Sequence, residues 1–296
     1  MSSSLEVETG VPLSRLTTIG TGGPALRFAR PRTLRELEEA LREAAAEGID
    51  VLVVGLGSNL LAADEGVSAL VLRLEGELAD VRASDGMLSA GGGAANAVCL
   101  HRARAAELGG LEFACAIPGT AGGGVRMNAG AYGSDWAAVI RRALISTADG
   151  SEWRTATELD LSYRRSGLAA GEVVAHVEFD VEPRPEPEIK ATIADLVARR
   201  KATQPTNKRT FGSVFKNPEH EFGAGKLIEL CGLKGHRVGG AVISPRHANF
   251  IENAGDATSA DCLVLVLEAR RRVHDQFGVV LEREVVLAGG LELPPV

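Results

Sequence analysis

Val51-Leu52-Val53-Val54-Gly55-Leu56-Gly57-Ser58-Asn59-Leu60 runs from a short apolar strand into a glycine turn, and the reading of that turn decides the fold. Two glycines one residue apart after a buried strand invite a dinucleotide-binding fingerprint, but Leu60 holds the place of its third glycine. That glycine is what brings helix close to strand, and no helix signal follows here, since Asp64-Glu65-Gly66 reads as a turn. A phosphate loop is excluded as well, because no Gly-Lys-Ser/Thr occurs.

Upstream, Thr33-x-x-Glu36 has the form of a capping box, and Leu34, Leu37 and Leu41 recur at helical spacing until Gly48. Downstream, Ala69–Leu74 predicts a second buried strand. Gly91-Gly92-Gly93 leads into an Ala-rich helix from about Ala95 to Leu108, stopped by Gly109-Gly110. Ile117-Pro118-Gly119-Thr120-Ala121-Gly122-Gly123-Gly124 is the longest glycine-rich loop, and strands around Ala143–Thr147 and Val173–Val181 follow it. The proline-rich break Glu182-Pro183-Arg184-Pro185-Glu186-Pro187 marks the clearest domain boundary. Beyond it, Ile189, Ile193, Leu196 and Val197 mark an amphipathic helix, and a longer helix spans Ser259 to Phe277. Gly278 stops that helix, and Val279 to Leu287 reads as a final strand. The pattern is α+β in two unequal parts.

A chain of 296 residues is long for one core, which favours two domains. Lys+Arg 32 against Asp+Glu 39 gives a net charge of −7 with no basic block, which argues against nucleic acid. No apolar run approaches the roughly 20 residues needed to cross a bilayer. The start Met1-Ser2-Ser3-Ser4-Leu5-Glu6 lacks a secretion signal, and Cys99, Cys115, Cys231 and Cys262 are scattered. These features point to a cytoplasmic protein with reduced thiols. The six histidines have no ligand spacing, so no metal is expected.

Glycine lets main-chain N–H groups approach and point at phosphate oxygens, so a net-acidic protein can hold a diphosphate through local dipoles. Taken singly, each loop reads more readily as a plain tight turn. Together with Gly20-Thr21-Gly22-Gly23-Pro24 they favour a nucleotide.

Thr17–Ala25, Val54–Leu61 and Ile117–Gly123 resemble the FAD-contacting segments of the UDP-N-acetylenolpyruvoylglucosamine reductase (MurB) family. Arg126–Gly133, Ser162-Tyr163-Arg164, Gly212–Pro218, His247–Ile251 and Leu281–Val285 continue the resemblance in family order, from about Leu13 to Leu287. It implies an FAD-binding fold of the vanillyl-alcohol-oxidase type over 1–183, with lobes of about 1–75 and 76–183. A smaller α+β substrate domain over 184–296 would follow, its last residues returning to the N-terminal lobe. It also implies non-covalent FAD, NADPH as hydride donor, a UDP-sugar enolpyruvyl ether as substrate, and a monomer. The short Gly-Ser-Val-Phe form resembles the subtype that lacks an inserted tyrosine-bearing loop.

By the same resemblance Gly55, Gly57, Ser58, Asn59, Gly119, Thr120, Gly122, Gly123 and Asn128 contact the cofactor, with Asn128 and Tyr132 bracing its loop. Arg164 matches the catalytic arginine, whose guanidinium fork suits a carboxylate that gathers negative charge. Ser213 matches the proton donor and Glu284 the third catalytic position. Strand alternation puts Glu282 and Glu284 on one face, so periodicity does not separate them. Lys216, Asn217, His247 and Asn249 are substrate-side candidates, and His247 reads equally as a structural histidine. Cys115 is a conceivable flavin tether, which the resemblance does not imply. Two other classes remain open: an oxygen-using sugar or alcohol oxidase on the same fold, and a non-catalytic flavin-binding paralogue.

Overall fold

The computed structural model describes residues 5–295; the first four residues, on which the reading of the N-terminus partly rests, lie outside them. The chain folds as two compact units that share it out in alternating segments. The first takes residues up to Glu8, Arg27–Leu56 and Ala69–Arg200; the second takes Thr9–Leu26, Gly57–Ser68 and everything from Lys201 on.

In the first unit an antiparallel sheet runs in the order Gly150–Thr155, Ile140–Thr147, Val173–Phe179, Met87–Gly91, Val81–Ser84. Its central strand, Val173–Phe179, is apolar almost throughout because both of its faces are covered. Val173 and Ala175 join one buried cluster with Leu37, Leu41, Leu70 and Leu72. Val174, Val177 and Phe179 join another with Cys99, Leu100, Val125 and Trp136. Helix Leu34–Ala46 begins where expected. Thr33 Oγ1 accepts from Glu36 N at 3.2 Å, but the Glu36 carboxylate accepts from Arg32 N at 2.7 Å rather than closing a full box. Val51–Val53 pairs in parallel with Val67–Leu72, a strand that begins two residues earlier than its hydrophobic run suggests.

The expected loop 117–124 needs correction, since Ala121–Met127 is a helix with Thr120 as its N-cap. Glycine disfavours helix by its backbone freedom, but here it answers crowding. A Cβ on Gly124 would lie 2.2 Å from the Trp136 ring, and one on Gly122 would lie 2.9 Å from the Gly92 carbonyl oxygen.

In the second unit an antiparallel sheet runs Arg209–Ser213, Phe250–Asn253, Ala241–Ile243, Arg237–Val238. Helix Ser259–Phe277 buries Cys262, Leu265, Val266, Ala269 and Val273, one stripe at helical spacing. A full Thr258–Asp261 capping box opens it and Gly278, at φ +67°, closes it. Asp64 adds a carboxylate that accepts from Ser259 N and Ala260 N at 2.9 and 3.0 Å. The expected strand Val279–Leu287 is also corrected: only Val286–Ala288 is a strand, parallel to Leu60–Ala62, preceded by a single bridge between Phe215 and Arg283. Its partners are remote in sequence, so local pattern misplaced its start. Among the described residues no helix is long and apolar enough to cross a membrane.

Candidate active site

Within the first unit the glycine loops meet. A Cβ on Gly55 would sit 2.7 Å from Thr120 Oγ1, so strand end and helix cap touch only because that side chain is missing. Thr120 Oγ1 accepts from Gly123 N, while Ala121 N and Gly122 N donate to the carbonyls of Ala94 and Gly92. Gly119 carries a φ of +156° and its carbonyl accepts from Asn96 N.

Beside this loop lies a cavity of about 500 Å³, walled by Leu56, Ala97, Leu100, Ile117, Pro118 and Ile193. His101, Arg104, Cys115 and Arg200 also line it. The buried Nε of Arg104 makes no hydrogen bond, Glu186 lying 3.6 Å away, and burial pushes the Arg200 guanidinium below its usual value. Apolar walls with two guanidinium groups suit a flat heteroaromatic ring carrying an anionic linker. The residues present therefore fit one end of a dinucleotide such as FAD. Sequence reading missed Arg104 and Arg200; nothing local distinguishes them from surface arginines on a helix.

Asn128 is 1% exposed and in a left-handed conformation, φ +38°. Its amide donates to the Ser162 carbonyl at 2.9 Å and to Asp135 Oδ2 at 3.2 Å, and its Oδ1 accepts from Ala137 N. It thereby ties the Asp135–Ala137 segment to the Ser162–Arg165 turn. Arg164 sits in that turn at φ +54°, unusual for a non-glycine residue and a frequent mark of functional sites. Its Nη2 donates to the Gly130 carbonyl at 2.6 Å, and the guanidinium lies 5.1 Å from the Tyr163 ring centre.

The second unit gathers the remaining candidates. Gly57, at φ +61°, has no room for a side chain, since a Cβ there would lie 2.0 Å from the Leu16 carbonyl oxygen. Asn59 donates from Nδ2 to the Glu284 carbonyl at 3.0 Å, and its own carbonyl accepts from Val286 N. Glu284 N donates to the Val214 carbonyl at 2.8 Å. Gly212, at φ +80°, passes 3.2 Å from the Ser58 carbonyl oxygen, measured from where its Cβ would be. Ser213 follows it where the pairing register with Phe250–Asn253 shifts, a bulge of the kind that re-aims side chains. Ser58, Asn59, Ser213 and Glu284 thus form one neighbourhood, while Arg164 belongs to the first unit.

Several substrate-side candidates have structural work. Lys216 Nζ pairs with Glu282 at 2.6 Å, and Asn217 Oδ1 accepts from Ala224 N at the start of helix Ala224–Leu230. His247 packs edge-on to Phe250, and its Nδ1 accepts from Asn249 N at 3.3 Å. Burial, with Lys234 nearby, holds its imidazole below the ordinary value. Asn249, 4% exposed, turns both ends of its side-chain amide to Phe215: Oδ1 accepts from Phe215 N at 3.0 Å and Nδ2 donates to Phe215 O at 2.8 Å.

The C-terminal domain model of UDP-N-acetylenolpyruvoylglucosamine reductase matches residues 204–288, and an FAD binding domain model matches residues 25–156. UDP-N-acetylenolpyruvoylglucosamine reductase 2 of Symbiobacterium thermophilum is 44% identical over 280 residues, 94% of this chain and 91% of that protein. The chain belongs to the UDP-N-acetylenolpyruvoylglucosamine reductase family. The reductase of Myxococcus xanthus is 42% identical over 288 residues, 96% of this chain and 93% of that one. The crystal structure of the reductase (MurB) from Thermus caldophilus superposes with a TM-score of 0.84 at 36% identity, covering 96% of this chain and 100% of that one. The α+β architecture is thus the flavin-binding fold that the resemblance implied, followed by the reductase's C-terminal domain.

Proposed function

We propose that the protein catalyses NADPH-dependent, FAD-mediated reduction of UDP-N-acetylglucosamine enolpyruvate to UDP-N-acetylmuramate, for peptidoglycan precursor synthesis, as a cytoplasmic monomer. The observation that carries this reading is the neighbourhood of Ser213 and Glu284, joined through Val214 and stitched by Asn59 to the glycine loop. Cofactor binding is assigned to residues 1–183 and substrate binding to residues 184–296. Gly55, Gly119, Thr120, Gly122 and Gly123 of the first unit and Gly57, Ser58 and Asn59 of the second are each assigned to the cofactor, and Asn128 to bracing its loop. When bound, FAD supplies the hydride relay from NADPH to the enolpyruvyl double bond.

An enol ether is electron-rich, so hydride addition to its terminal carbon needs the adjacent carboxylate to take up negative charge. Arg164 offers that carboxylate a planar, permanently charged fork, a kind of preorganised stabilisation worth roughly 3–4 kcal/mol of barrier. The Ser213 hydroxyl then gives its proton to the neighbouring carbon, which turns the enolic carboxylate back into an ordinary one. Glu284 polarises the developing charge or returns a proton to Ser213. Lys216, Asn217 and His247 lie on the substrate side of this assignment.

Stopped-flow separation of the two half-reactions tests the proposal. NADPH should bleach the yellow protein, and the enolpyruvyl UDP-sugar should restore the colour without oxygen. Ser213→Ala should slow the second step about 10²–10⁴-fold and leave the first nearly unchanged. Colour restored by oxygen alone sinks the assignment.

A further inference from the structure

Ser213 follows a positive-φ glycine at a register shift, so the strand ladder stops serving the backbone just beyond it. Val214 and Phe215 are each 1% exposed, and buried peptide groups need partners. Asn249 provides them. Its main-chain carbonyl accepts from Val214 N at 2.9 Å, and its side-chain amide takes both the N–H and the C=O of Phe215. The chemistry of Phe215 fixes the amide's orientation, since its N–H can only donate and its carbonyl only accept. The amide acts as a one-residue substitute strand. The peptide it fixes holds both catalytic candidates: Ser213 precedes Val214, and the Val214 carbonyl receives Glu284 N at 2.8 Å.

Resting on the reductase reading above, we propose that Asn249 is a positioning residue for Ser213 and Glu284, and that its side chain does not touch substrate. Each amide atom is engaged by Phe215 and the residue is 4% exposed, which leaves almost no surface for a sugar to contact.

The informative variant is Asn249→Asp. A protonated carboxyl offers one acceptor and one O–H donor, the same pattern as the amide. The ionised form offers acceptors only and repels the Phe215 carbonyl. Burial raises the introduced carboxyl above the ordinary aspartate value of about 3.9, which brings its titration towards an accessible range. His247, whose Nδ1 is 3.3 Å from Asn249 N, is one titratable neighbour. Glu284 and the Lys216–Glu282 pair, which join the same backbone at Val214 and Lys216, are others, as are Lys234 and Glu229 near His247. All are shared with the wild type and with Asn249→Ala, so only a pH response peculiar to Asn249→Asp reports the new carboxyl.

The flavin-loaded proteins would be compared at pH 8 and pH 5.5 in both half-reactions. At pH 8, Asn249→Asp should be reduced by NADPH at the wild-type rate, while reoxidation by the enolpyruvyl UDP-sugar slows about 100-fold, as expected for a misplaced reacting group. At pH 5.5 that gap should narrow to a few-fold, whereas Asn249→Ala stays slow at both values. Equal slowing of both half-reactions, wild-type reoxidation at pH 8, or a gap that ignores pH overturns the proposal. So does loss of flavin or of the folding transition at both pH values, which makes Asn249 a residue of stability alone. A wild-type protein that the sugar fails to reoxidise sinks the reductase reading instead, so the two failures are told apart.

Discussion

Glu282 and Glu284 are the same carboxylate two positions apart, and their surroundings separate them. The Glu282 side chain is 71% exposed and pairs with Lys216 Nζ, whereas Glu284 is half-buried, with its main chain pinned on both sides by Val214 and Asn59. Glu282 meets the 16% exposed Lys216 from the solvent side, and a surface pair contributes about 0–1 kcal/mol to stability, so Glu282→Gln should alter melting little and turnover far less than Glu284→Gln does. Glu284→Gln should cut turnover by about 10² or more while the melting temperature stays near the wild type. A Glu282→Gln loss as large as that of Glu284→Gln would return the choice between them to the starting point. The ordered motifs singled out Arg164, Ser213 and Glu284 in the sequence as the catalytic candidates. Their backbone settings were not legible: Arg164 takes its left-handed conformation inside a tight turn closed between Ser162 and Arg165, and the register shift before Ser213 arises from pairing with residues far along the chain.

Elements were legible where their signals are local. Helix Ser259–Phe277 has a capping residue, an apolar stripe and a terminal glycine, all within twenty residues of one another. Helix Ala121–Met127 was hidden because its first turn is nearly all glycine, and the reason for those glycines is a tryptophan ring twelve residues on from Gly124. Gly124→Ala tests that reason. On propensity alone alanine should strengthen a helix by about 1 kcal/mol. With the Trp136 ring 2.2 Å from the new methyl, the substitution should instead cost about 1–3 kcal/mol through overpacking. Chemical denaturation decides between the two, and a stabilised Gly124→Ala would show that the ring yields easily.

At the scale of the molecule, two kinds of half-buried group set the response to acid. Burial lowers the folded-state pKa of His176 and His247. Below about pH 6.5 the unfolded chain therefore takes up protons that the folded one refuses, and stability falls as acid is added. Glu172 and Glu178, held low chiefly by hydrogen bonds from Arg154 and Arg142, add to the loss as pH drops through their folded values. The melting temperature should be level above about pH 7 and decline below it, with a shallower decline between pH 7 and 5 in His176→Gln. A melting temperature that rises on acidification excludes this account. Chain path was the least legible property, because the segments of each unit are interleaved rather than consecutive. The core of the second unit includes Ile19 and Leu61, strand Val286–Ala288 pairs with Leu60–Ala62, and Asp64 and Thr21 receive hydrogen bonds from the start of its long helix. A fragment of residues 201–296 lacks all of these. It should therefore show no cooperative melting transition and little amide protection, even though it contains Ser213 and Glu284. Adding peptides covering 9–26 and 57–68 should restore part of that protection. A fragment that melts cooperatively by itself would mean that its own sheet and two helices make a sufficient core.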